Sequence, residues 1–301
     1  MAMRVAVVGS YGVGLTMRVG RMPVGGETLS DGVFASGHGG KGSNQAVAAA
    51  RLGAEVSFLT GVGPDAFGVA ACDLWREEGR DTTPAPTAAG PKGGGDRAGA
   101  SGADRIVIAP GALDQLTPAD VDAFEDEIAA ADILVTGFEI PVEVARRALQ
   151  LARRHGVRTL LNPAPAVRLD SELWELADVV TPNRSEAAVL TGEPVETADA
   201  CADAIRARFG GAIVVTLGGE GCLLDTPDGG RTRVAPVPPR EVVDTTGAGD
   251  AFTGALAVAL ARGDKLPAAV RFASAAGAHA VATAEVIPSL ARPSDIADLL
   301  G

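Results

Sequence analysis

Short runs rich in Val, Ile and Leu recur at residues 3–9, 54–60, 132–136, 157–161, 178–181 and 212–217, and helix-like segments separate most of them. Runs of this length suit strands buried on both faces, and their alternation with helices predicts a parallel sheet covered on both sides. Thr117-Pro118-Ala119-Asp120 predicts a helix opened by a capping box with Pro at its first position, and Gly156 and Gly192 stand where helices should stop. An Ala-rich run ending at Gly53 predicts another helix. From Asp250 to Ala261 the chain is apolar on every face, which predicts a helix in the centre of the fold. One segment breaks the pattern: Thr82 to Ala103 holds six Gly, three Pro and six Ala but no Val, Ile, Leu or aromatic residue. It is expected to form a mobile loop, an insertion or lid element within one domain spanning 1–301.

Composition narrows the class. The 301 residues are 47% hydrophobic, enough for a sizeable core, and carry a net charge of −12. That acidic field excludes a nucleic acid or an anionic membrane surface as the expected partner, because no basic patch overrides it. Cys72, Cys201 and Cys222 are widely spaced and form no C-x-x-C pair, so reduced thiols are expected. With no signal-peptide pattern at the N-terminus and no apolar run of 18 residues, the expected location is the cytoplasm.

Four clusters carry chemistry. In Asp244-Thr245-Thr246-Gly247-Ala248-Gly249-Asp250, glycines stand at the start of the central helix, where free amides make an anion site. An acid there would repel bound phosphate unless it accepts the proton of an attacking hydroxyl; the alternative is that Asp250 merely caps its helix. Gly37-His38-Gly39-Gly40-Lys41-Gly42-Ser43-Asn44-Gln45 combines close backbone approach, a cation and an amide, as suits a polyhydroxylated or anionic ligand. It lacks the spacing of a Walker A loop and leaves open a loop that is Gly-rich only for tight turning. Asn183 and Glu186 share one helix face and suit a hydrated magnesium ion, although an ordinary helix start would look the same. Thr216-Leu217-Gly218-Gly219-Glu220-Gly221 follows another strand, where open α/β sheets bind ligands.

The order of G-G-K-G-x-N-Q-A, N-x-x-E, T-L-G-G and D-T-x-G-A-G-D resembles the PfkB family of carbohydrate kinases, its ribokinase branch above all. The resemblance runs over nearly the whole chain, including Asn162-Pro163-Ala164-Pro165 and Pro288-Ser289. It implies a three-layer αβα ribokinase-like fold with a small β-rich lid drawn from 11–38 and 82–110. It also implies ATP as phosphate donor, Mg²⁺ and often an activating K⁺. Carried over by position, Asp250 is the base, and Gly247, Ala248 and Gly249 form the anion hole. Gly39, Gly40, Lys41, Asn44 and Glu139 contact the sugar. Asn183 and Glu186 match the magnesium motif, while Thr216, Gly218, Gly221, Gly249 and His279 border the nucleotide. Asp244, Thr246 and Ser289 belong to a cation loop. Family lids often pair between two subunits, which makes a homodimer the implied oligomer.

Three departures bear on specificity. The family's usual Asn-x-Asp after the first strand is here Gly12-Val13-Gly14, which puts ribose in question and admits a nucleoside or a deoxy sugar. With 82–103 in place of lid strands, either the lid is incomplete or another segment covers the site; a low-activity sugar-binding relative is the competing reading. Ala282-Thr283-Ala284-Glu285-Val286-Ile287 stands where ribokinases commonly show Arg and a Gly, and Glu285 is expected to alter the cation loop. A dinucleotide-binding oxidoreductase is disfavoured, since Gly9 to Gly14 reads G-x-x-G-x-G.

Overall fold

A computed structural model describes residues 2–78, 85–86, 93–97 and 104–301, with backbone alone for 85–86, 93–97 and 104–108. Its strands are β1 (Arg4–Val8), β2 (Gly12–Arg18), β3 (Val33–Gly39), β4 (Glu55–Leu59), β5 (Gly61–Val62), β6 (Ala85–Pro86) and β7 (Gly93–Arg97) in the first third of the chain. Then follow β8 (Asp104–Ala109), β9 (Ile133–Thr136), β10 (Arg158–Leu161), β11 (Val179–Val180), β12 (Ala212–Thr216), β13 (Cys222–Asp225) and β14 (Arg231–Val234).

Eight strands form the central sheet in the order β14-β13-β12-β11-β10-β9-β1-β4, parallel from β12 to β4 and antiparallel at the β12-β13-β14 end. Because successive side chains point to opposite faces, the apolar runs divide between two cores. Val5 and Val7 pack with the helices Lys41–Arg51, Ala248–Ala261 and Leu266–Ala280 on one side; Ala6 and Val8 pack with helix Val142–Arg154 on the other. This is the three-layer αβα arrangement. Helix Ala248–Ala261 is buried at every position from Asp250 to Leu260, as its uniformly apolar sequence requires. The expected punctuation is present: Asp120 Oδ2 accepts from Thr117 N and Oγ1, both at 2.8 Å, and Gly156 and Gly192 take positive φ of 70° and 72°.

A second sheet, in the order β3-β2-β7-β8, stands beside the first, and β5 pairs with β6. Ala85–Pro86 and Gly93–Arg97 are thus strands inside the segment expected to form a loop; the rest of 82–103 lies outside the described residues. Their order comes from pairing with β5, β2 and β8.

Candidate active site

The parallel strands all end along one edge of the sheet, where open α/β folds form their ligand crevices. Ser10 follows β1, Glu139 follows β9, Asn162 follows β10, and Asn183 follows β11. Two helices begin at the same edge, Lys41–Arg51 and Ala248–Ala261. A pocket there is lined by Gly9, Ser10, Lys41, Gln45, Glu139 and Asn162 among others.

Glycine sets how closely these parts approach. A Cβ on Gly42 would lie 2.5 Å from Ser10 N and 2.6 Å from Gly9 C, so only glycine brings the helix onto the end of β1. Gly254 lets the two helices cross in contact, since a Cβ there would lie 2.7 Å from both Ala48 Cβ and Gln45 O. Their first turns consequently share hydrogen bonds. Asn44 Nδ2 donates to Asp250 Oδ2 at 2.8 Å, and Gln45 Nε2 donates to Asp250 Oδ1 at 3.1 Å. Gln45 Nε2 also donates to Asn162 Oδ1 at 3.1 Å, and Asn162 Nδ2 in turn donates to Thr181. Asp250 does not cap its own helix: Gly247, at φ 80°, is the cap residue, and no side chain caps that end. The capping alternative for Asp250 is therefore removed by geometry.

Electrostatics single out the same carboxylate. Burial drives the pKa of Asp250 above the ordinary carboxylate range, and Lys41 and the Asn44 and Gln45 amides only partly oppose it. Lys41 is held charged chiefly by Asp250, with Glu139 and Glu186 adding to the effect. Glu139 is anchored from two sides, accepting from Lys41 N at 3.0 Å and from the Ser10 hydroxyl. Asn44 Oδ1 is buried with no hydrogen-bond partner among the described residues. At the start of helix Ala248–Ala261, a Cβ on Gly249 would meet nothing within 4 Å, which leaves the backbone open on that side.

The nucleotide and metal candidates fall into distinct groups. Asn183 and Glu186 close a reciprocal capping box, with Glu186 Oε2 accepting from Asn183 N and Asn183 Oδ1 from Glu186 N, both at 2.8 Å. Burial raises the Glu186 pKa despite the bond from Asn183 N and the attraction of Lys41, so a nearby cation would be welcome to this carboxylate. Asn183 also pairs with Thr216 across an isolated bridge. Gly218 is open, with nothing within 4 Å of a Cβ, whereas Gly221 is a turn requirement, at φ 85° with Val234 O 2.2 Å from a Cβ. Asp244 Oδ1 accepts from Thr246 N at 2.9 Å, and Val243 N and Asp244 N donate to Val281 O, which joins this loop to the 281–289 segment. Ser289 is fully buried and donates its hydroxyl to Val286 O at 2.8 Å. His279 Nε2 lies 3.8 Å from Asp295 Oδ2. Ser10, Gln45 and Asn162 received no role from the sequence, although each lies inside a motif it displays; the signal was a polar side chain beside a strand end or in a buried first turn.

The model of the pfkB family of carbohydrate kinases matches residues 4–292. A bifunctional ribokinase/ribose-5-phosphate isomerase A from Fructilactobacillus sanfranciscensis is 38% identical over 84% of this chain, which spans 48% of that protein. A ribokinase of Haemophilus influenzae is 35% identical over 93% of both chains, and a deoxyribokinase of Salmonella typhi is 37% identical over 85% of both. The structure of Arabidopsis thaliana ribokinase complexed with ribose and ATP superposes with a TM-score of 0.91 at 28% identity, covering 100% of this chain and 99% of that one.

Proposed function

The chain belongs to the pfkB family of carbohydrate kinases, and on that premise we propose that it transfers the γ-phosphate of ATP to the hydroxymethyl group of a sugar, with Asp250 as general base. The observation that carries this reading is the buried Asp250 carboxylate, pinned by Asn44 and Gln45 one turn from an uncapped, glycine-led helix start. A primary alcohol is a weak nucleophile at neutral pH, and a positioned base contributes about 10²- to 10⁴-fold. In this reading the sugar hydroxymethyl donates its proton to Asp250, and the amides of Gly247, Ala248 and Gly249 stabilise charge on the transferred phosphoryl. The unpartnered Asn44 Oδ1 accepts from a second sugar hydroxyl, while Lys41, Glu139, Gly39 and Gly40 complete the sugar's surroundings. The open backbone of Gly218, with Thr216, borders the nucleotide.

Glu186 fits a magnesium ion held through water, because its half-buried carboxylate has a pKa raised by desolvation that an adjacent cation would offset; Asn183 Oδ1 is already committed to the cap. Magnesium would neutralise charge on the phosphates during transfer. Asp244 fits a monovalent-cation loop with the 281–289 carbonyls, to which its backbone is bonded, and the buried Ser289 hydroxyl braces that loop. Free Cys72, Cys201 and Cys222 suit the cytoplasm. No helix among the described residues is long and apolar enough to cross a membrane. Met17, Val33 and Phe34 leave large apolar surface exposed on the second sheet, which favours a homodimer formed there.

A deoxy sugar is the second reading of the substrate, favoured by the absence of a side chain at Gly12 and Gly14 and by the deoxyribokinase relative. The test is ADP release across pentoses, ketoses, deoxy sugars and nucleosides, with and without K⁺. Sugar-dependent release supports the kinase; sugar binding without ADP release refutes it.

A further inference from the structure

The two long strands of the second sheet present a face without side chains. In their register Gly12 stands opposite Gly39 and Gly14 opposite Gly37. Alternation decides which face this is. Tyr11 and Val13 are buried, Tyr11 packs edge-on against Trp75 at 5.3 Å, and its hydroxyl pairs with His38 Nδ1 at 2.9 Å. The four glycines therefore lie on the opposite face, which runs on through Gly40 into Lys41 and the Asp250 cluster.

A carboxylate reaches that bare face from another part of the chain. A Cβ built on Gly37 would lie 3.8 Å from Glu285 Oε2. Glu285 is exposed, and no hydrogen bond or ion pair with another described residue engages its carboxylate. Its backbone sits at φ 67°, ψ 150°, a region in effect reserved for glycine, and it is the one non-glycine with positive φ among the described residues. The next residue, Val286, is seated on the start of helix Ala248–Ala261: a Cβ on Gly247 would lie 2.4 Å from Val286 Cγ1. Glu285 thus stands between the glycine face and the head of the Asp250 helix, in a backbone conformation that costs stability.

We propose that Glu285 is a specificity residue whose carboxylate accepts hydrogen bonds from sugar hydroxyls remote from the transferred phosphoryl, filling the acceptor role that β2 and β3 leave without a side chain. This rests on the sugar-kinase reading above. An ionised carboxylate only accepts, and its two oxygens match a pair of vicinal hydroxyls. The favoured substrate class is then a sugar with a vicinal diol on this face, and removing one hydroxyl of the pair removes part of the contact.

The experiment is ADP release by the wild type, Glu285→Gln and Glu285→Gly, with pentoses and their 2-deoxy and 3-deoxy counterparts. Titration of K⁺ and thermal unfolding accompany it. Glu285→Gln is expected to raise KM for the diol sugars about 10- to 100-fold, to change kcat less than KM, and to narrow the preference for diol over deoxy sugar. Glu285→Gly is expected to weaken the sugar equally while its unfolding midpoint stays at or above that of the wild type, since glycine relieves the positive φ. A KM within twofold of wild type for every diol sugar overturns the proposal. So does an effect confined to the K⁺ titration, which would assign Glu285 to the cation loop. Wild-type protein that releases ADP with no sugar in the panel would instead sink the kinase reading itself, and this inference with it.

Discussion

Replacing Asp250 by Asn tests the centre of the reading. The change keeps the shape and removes the base. If Asp250 takes the proton, turnover should fall by about 10²- to 10⁴-fold, equivalent to about 3 to 5 kcal/mol on the barrier. The cost to the fold is separable. Asp250 accepts from two amide donors, Asn44 Nδ2 and Gln45 Nε2, whereas Asn has one acceptor oxygen and one NH₂. Gln45 is also held by its bond to Asn162, so one pairing becomes donor against donor, at about 1 to 3 kcal/mol. Against this, a neutral amide is buried more readily than a carboxylate whose pKa burial has raised. The sign with pH follows from that direction. With its folded pKa above the unfolded value, Asp250 stabilises the fold below the unfolded pKa, and that contribution is lost as pH rises through the folded one. The variant's stability relative to wild type should therefore improve with rising pH across that window. The base form of Asp250 appears over the same window, so wild-type kcat/KM should climb through it and the variant's should not. The assay is coupled ADP release against pH, with sugar and ATP binding followed by calorimetry. A variant within tenfold of wild-type turnover, or one that keeps the same acid limb, would refute the role.

Lys41→Met should push the acid limb of the wild-type profile to higher pH, because Lys41 is the largest influence lowering the Asp250 pKa; an unmoved limb would show that the two charges do not communicate. Gly42→Ala should destabilise by about 1 to 3 kcal/mol through overpacking, since its Cβ would lie 2.5 Å from Ser10 N; a urea midpoint equal to wild type would contradict that packing. Phe34→Glu, on the exposed apolar surface of the second sheet, should convert a dimer to a monomer in light scattering, and a wild type that is already monomeric would dispose of the dimer.

What the sequence displayed, it displayed through burial. The six parallel strands of the central sheet were legible to within about one residue because each is mostly apolar, and helix Ala248–Ala261 because no face of it is polar; β13 and β14, at the antiparallel end, were not among the runs read from the sequence. The second sheet was not legible in the same way. Gly93–Arg97 reads GGGDR and has no strand-forming side chain, so its order comes from partners distant in sequence, which periodicity cannot reveal. The site divides similarly. Asp250, Lys41 and Asn44 stand in recognisable motifs, yet the double donation of Gln45 Nε2 to Asp250 and Asn162 depends on how two helices cross. Glu285 was visible only as a departure; its positive φ and its approach to Gly37 are tertiary facts.

The contact at Gly254 also constrains motion. With no side chain between them, the helices bearing Asn44, Gln45 and Asp250 interlock backbone to side chain, and Asp250 is tied to two donors on the facing helix. Separating them would open the core they share and break two buried hydrogen bonds together, so they travel as one body. Any opening that admits or releases a sugar must then be carried by the strands of the second sheet. Amide protons in helices Lys41–Arg51 and Ala248–Ala261 should exchange with solvent only through global unfolding, while those of β2 and β3 exchange through smaller openings and slow down when sugar is bound.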